Sequence, residues 1–249
     1  MNISKSANPA LNKKTFSNIG ATSSDGAMTI QGTVNKVFIM LFLVVMAASY
    51  TWKFMDSQNL SALSIYMIGG AIGGFIVAII TVFKKTWAPI TAPIYAVLEG
   101  LFLGGISAYF EAQYPGIVIN AVALTFGTLF ALLFAYKSGR IKVTQNFRLG
   151  VVAATGGIAF AYFFSFILGM FGINLGFIHG NGILSIIISL VVVVVAAMNL
   201  VLDFDFIESG AEAGAPKYME WYGAFGLIVT LVWLYIEFLR LLAKLSSRN

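Results

Sequence analysis

The chain has 249 residues, of which 59% are hydrophobic and only 10% charged, with a formal net charge of +5. Soluble domains carry about 25% charged residues, so this apolar surplus exceeds what a core can hide, and lipid must cover much of it. The lack of Cys excludes disulfides, iron–sulfur clusters and thiolate zinc sites, and a single His, His179, cannot build a multi-histidine metal site.

Residues 1–33 are polar and rich in Ser, Asn, Gly and Thr, with Lys5, Lys13 and Lys14, and read as a flexible cytoplasmic tail. A signal peptide does not fit, because the first apolar run begins only at Val37 and leads straight into further spans. A spanning helix needs roughly 20 mostly apolar residues. Seven segments meet this condition, at 34–52, 61–83, 90–110, 116–136, 150–172, 183–207 and 218–243. Continuous runs of this length are helices, since barrel strands alternate over about 10 residues. The expected fold is an all-α integral membrane protein, with one seven-helix domain over residues 34–245 and a short tail at 246–249.

The basic residues lie between the apolar runs and form no dense patch, which points to topology and not to nucleic-acid binding. With the N-terminus inside, eleven Lys and Arg fall on the inner side and four (Lys53, Arg240, Lys244, Arg248) on the outer. The expected orientation is N-terminus in and C-terminus out, in a membrane of the bacterial cytoplasmic type.

Small residues recur at helix-packing spacing in Gly69-Gly70-Ala71-Ile72-Gly73-Gly74 and again at Gly100 and Gly104. Glycine lets two backbones approach closely, and in lipid such packing drives association. Close packing between helices of the one chain is expected here, with dimerisation or a hinge as alternatives. Glu99 stands midway along the third span and must face the bundle interior, protonated or paired. It serves either in a helix-to-helix hydrogen bond, to Ser107, a Tyr or Asn199, or in an ion path. His179 sits among glycines in a short loop and reads as exposed.

The sixth span ends in Asn199-Leu200-Val201-Leu202-Asp203-Phe204-Asp205-Phe206-Ile207-Glu208. Asp203 and Asp205 are two apart, so on a regular helix they point about 200° from one another, and one faces inward while the other faces headgroups and loop. With Glu208 and Glu212 they are either solvated carboxylates at a helix end or a mouth that attracts cations. Pro216 suits the start of the last helix. In that helix Glu237 and Arg240 are three apart and share a face, as an ion pair snorkelling toward the headgroups or drawn below them.

Two stretches resemble a known family. Ala92-Pro93-Ile94-Tyr95-Ala96-Val97-Leu98-Glu99-Gly100-Leu101-Phe102-Leu103-Gly104-Gly105-Ile106-Ser107 is similar to the third-helix motif of the Bax inhibitor family, whose bacterial members are called YccA-like. Glu220-Trp221-Tyr222-Gly223-Ala224-Phe225, followed by Trp233-Leu234-Tyr235-Ile236-Glu237-Phe238-Leu239-Arg240-Leu241-Leu242, is similar to its last helix. The resemblance implies six helices surrounding a central seventh. It also implies a pH-sensitive calcium leak controlled by an acid on helix 6, which falls on Asp203, and an acid on helix 7, which falls on Glu237. A basic latch at the end of helix 2 falls on Lys84 or Lys85. Here Glu stands where the helix 7 pattern has Asp, and Lys where the channel has the planar Arg fork.

The function expected on this basis is a proton-gated cation leak. Two carboxylates sharing a proton hold the path closed, and deprotonation exposes charge that attracts Ca²⁺, with transient Ca²⁺ at Asp203 and Glu237. No resident cofactor or metal is expected, and no enzyme, because the chain offers no nucleophile–base pair or ligand set. The alternative is a non-transporting regulator whose polar tail binds a membrane quality-control protease or a cell-death protein. Thirty-three residues separate the two acids. Ideal antiparallel helices meeting near residue 213 place them roughly 20 Å apart in depth, so contact requires helix 6 to run well past Asp203 or the connection to bend.

Overall fold

A computed structural model of the chain describes residues 26–56, 60–173, 175–176 and 180–248. His179 and most of the polar tail lie outside the described residues. The described residues form seven long helices: α1 (Ile30–Asp56), α2 (Leu60–Phe83), α3 (Ala88–Gln113), α4 (Ile117–Lys137), α5 (Gln145–Met170), α6 (Ile183–Glu212) and α7 (Met219–Ser246). A single 3₁₀ turn, Lys85–Trp87, joins α2 to α3. All seven helices are long and apolar enough to cross a bilayer, and the protein is an integral membrane protein.

Helix α7 lies at the centre. It is apolar on most of its circumference, as buried helices are, and its interior residues include Tyr222, Phe225, Ile228, Leu234 and Leu239. Helices α1, α3, α4 and α6 wall it directly, whereas α2 packs on α1 and α3 and α5 packs on α6. Polar ties fix the arrangement. Tyr235 of α7 hydrogen-bonds Ser107 of α3 at 2.6 Å, and Asn199 of α6 donates to Thr155 of α5 at 2.8 Å. Lys244 of α7 donates to the hydroxyls of Ser185 and Ser189 on α6 at 2.7 and 2.8 Å.

The glycine frames act within the chain. Gly100 and Gly104 lie against the α1 backbone, where a Cβ on Gly100 would stand 2.5 Å from the Val44 carbonyl oxygen and one on Gly104 would overlap that of Ala48. Gly70 of α2 faces the α3 backbone in the same way, at the Leu98 carbonyl, while Gly74 faces the Glu99 side chain.

Several helix ends differ from the sequence reading, and three bear on the site. Helix α1 starts at Ile30, because Thr29 caps it by accepting from the Gly32 N–H at 2.9 Å. Helix α6 continues to Glu212, five residues past its predicted end, so Glu208 and Glu212 are helical. Pro216 does not begin α7, which starts at Met219; it pairs instead with Ala27 in an isolated antiparallel bridge, and Ala215 accepts from the Met28 N–H at 2.6 Å.

Candidate functional site

Polar residues gather at both ends of the central helix. At the end that carries Gly26, α6 presents its acids by its own geometry. Asp203 has no exposed surface, while Asp205 points away toward α5 and pairs with Arg148. One turn further on, Glu208 accepts from the Tyr136 hydroxyl of α4. Acids are unfavourable near a helix C-terminus; here Arg148 and Tyr136 compensate two of them.

Of the two candidate latch residues, the 3₁₀ turn brings Lys85 to the central helix and leaves Lys84 exposed. The Lys85 ammonium lies 5.6 Å from the centre of the Tyr222 ring, a favourable cation–π position. Tyr222 is fully buried against Phe206 of α6, and its hydroxyl makes no hydrogen bond among the described residues.

Beside this lies a second buried acid, Glu220 in the first turn of α7, which the sequence reading used only as part of a motif. Its carboxylate has no exposed surface and accepts from the Thr29 N–H at 3.0 Å and the Thr29 hydroxyl at 2.9 Å. Lys36 of α1 pairs with it at 2.6 Å and Lys217 at 3.5 Å. The carboxylate occupies the space over Gly32, where any side chain would collide with it. The only local signal was an acid in a helix's first turn, where the macrodipole favours it.

At the opposite end, Glu237 is 1% exposed and accepts from Arg240 at 3.1 Å and from the Tyr162 hydroxyl of α5 at 3.2 Å. The Arg240 guanidinium lies over the Tyr162 ring at 5.4 Å. The shared face of Glu237 and Arg240 is thus an ion pair with its acid buried and its base 43% exposed.

The structure does not bring Asp203 and Glu237 together. Ile207 lies against Gly223 and Ser185 bonds Lys244, a register that puts Asp203 level with residues 226–227 of α7. Glu237 stands ten residues further on, roughly 15 Å at 1.5 Å per residue. Helix α6 does run past Asp203, but the connection to α7 is short and does not bend the acids into register. A shared proton needs hydrogen-bond distance, so the two acids work at separate levels.

Glu99 is also placed differently from expectation. It is only partly buried and lies in the α2–α3 seam, its carboxylate over Gly74. Two of the partners expected for it are engaged elsewhere, Ser107 with Tyr235 and Asn199 with Thr155. Gly74 supplies the room that lets a Glu sit between two helices.

No curated protein and no solved structure matches the chain. The family model described as Bax inhibitor 1 like matches residues 8–247, nearly the whole sequence. Seven apolar helices, with the C-terminal one buried among the others, agree with that match, and the chain belongs to the Bax inhibitor 1 like family.

Proposed function

We propose that this protein is a pH-sensitive cation leak with Ca²⁺ as its cargo, in which Asp203 and Glu237 act at two separate levels of one route. The observation that carries the reading is Asp203, a carboxylate without exposed surface on the helix packed along α7. Asp205, Glu208 and Glu212 continue the same helix toward the end that carries Gly26, which in this reading faces the cytoplasm. Intramembrane acids are costly to desolvate and mark ion and proton routes. When ionised, Asp203 attracts a cation arriving past the acidic turn; when protonated, it attracts none and the route is closed. Arg148 and Tyr136 hold the outer acids in place, and Lys85 over Tyr222 forms the latch as a point charge.

Calcium flux in liposomes, measured from acidic to neutral pH for Asp203→Asn, Glu237→Gln and the double variant, tests this. The parent's flux rises with pH, and each amide lowers it and flattens the profile. Sites more than about 7–10 Å apart combine additively in free energy, so the double variant loses the product of the two single effects. A double variant no worse than either single one indicates a shared proton and contradicts the two-level route. Parental flux and pH profile in Asp203→Asn overturn the leak itself.

A further inference from the structure

The end of the bundle that carries the C-terminus holds a polar cavity of about 270 Å³ between α3 and α7, with Tyr162 of α5 on its wall. Its chemistry is one-sided. Arg240 and Lys244, one helical turn apart on α7, line it together with Tyr109, Gln113 and Tyr114, and no acidic side chain among the described residues does. Lys244 is held by the neutral oxygens of Ser185 and Ser189. Arg240 carries five N–H donors in a planar fork, and Glu237 takes one of them from behind the cavity wall. Its side chain is 43% exposed, so the fork has donors to offer a second acceptor.

Depth narrows the choice of ligand. The 28 residues of α7 span about 42 Å at 1.5 Å per residue, some 12 Å more than the hydrocarbon core. Arg240 lies six residues from the end of the helix, about 9 Å. With the excess shared between both ends, its Cα stands about 3 Å inside the hydrocarbon edge, and its long side chain snorkels to the phospholipid headgroups. Planar Arg forks match phosphate oxygens bidentately, and basic pockets between membrane helices take lipid headgroups.

We infer that this cavity binds a phosphate group, with Arg240 as its principal ligand, Lys244 supplying positive potential, and Tyr109 and Gln113 offering further donors. The phosphate is that of a lipid headgroup or the free anion. The inference does not depend on the cation leak, because it uses the outward face of Arg240 and not the carboxylate behind it.

The test is the thermal unfolding midpoint of the whole chain in an uncharged maltoside detergent. It is titrated with inorganic phosphate, with short-chain phosphatidylglycerol, and with chloride at matched ionic strength. The parent shows a saturable rise with phosphatidylglycerol, with phosphate, or with both, and none with chloride. A response to the lipid alone assigns a headgroup site, and a response to both assigns a phosphate site open to either source. Hydrogen bonds to charged groups contribute roughly 1.5–3 kcal/mol, so Arg240→Gln weakens the half-saturation concentration about tenfold or more. Arg240→Lys, with charge but no fork, recovers part of it. Should Arg240→Gln fail to fold, Gln113→Leu reports from the opposite wall with a several-fold weakening. Absence of a saturable response in the parent, a chloride response of equal size, or parental titration of Arg240→Gln or Gln113→Leu overturns the site.

Discussion

Gly104→Leu is expected to separate α1 from α3 and to destabilise the protein by roughly 3 kcal/mol or more, the upper range for forcing atoms into a packed interface. The obstacle is the main chain. A Cβ at position 104 overlaps the Ala48 carbonyl and lies 2.8 Å from the Ala48 Cα, and neither atom can rotate away. Helix α1 must move as a body, which also breaks its contact with Gly100, one turn earlier. Gly127→Leu is the control, since Gly127 faces outward on α4 with nothing within 4 Å of its Cβ position. Unfolding in detergent should fall steeply for Gly104→Leu and hardly change for Gly127→Leu. Equal midpoints for the two contradict the packing described.

Lys36→Met is expected to cost about 3 kcal/mol, because removing one partner of a buried pair strands the other charge. Glu220 has no exposed surface, and Lys36 is its closest cationic partner at 2.6 Å; Lys217, at 3.5 Å and 49% exposed, compensates weakly. The double variant Lys36→Met/Glu220→Gln should recover much of the loss, since a neutral amide has no charge left to strand and still accepts from Thr29. Thermal unfolding of the parent, both single variants and the double variant gives the coupling directly. A Lys36→Met protein as stable as the parent shows that Lys36 does not neutralise Glu220.

What was legible in the sequence is local in origin. Seven apolar runs, the glycine frames and the three-residue spacing of Glu237 and Arg240 express helix length and periodicity, and the structure contains each of them. The divergence of Asp203 and Asp205 likewise follows from 100° per residue, although which of them faces inward depends on the packing around α6. The contacts that escaped the reading join distant parts of the chain. Glu220 meets Thr29 across 191 residues, and nothing near either residue announces the other. The end of α6 reads as residue 207 because the apolar run stops there. It stays helical to Glu212 with Arg148 of α5 and Tyr136 of α4 beside it, partners that only the assembled bundle supplies. Glu99 leaves the sequence with two alternatives for a related reason: a seam against a glycine of the neighbouring helix accommodates a carboxyl as well as a central path does.

In the proposed route cations pass Asp203, and the chain's lack of cysteine allows a direct test. In Asp203→Cys the new thiol is the only one in the protein, and thiolate binds soft metal ions such as Cd²⁺ tightly. Cd²⁺ is expected to stop the residual calcium flux of Asp203→Cys liposomes, a chelator to restore it, and the parent to be insensitive. Calcium flux through Asp203→Cys that continues unchanged in Cd²⁺ would place the route elsewhere and contradict passage at Asp203.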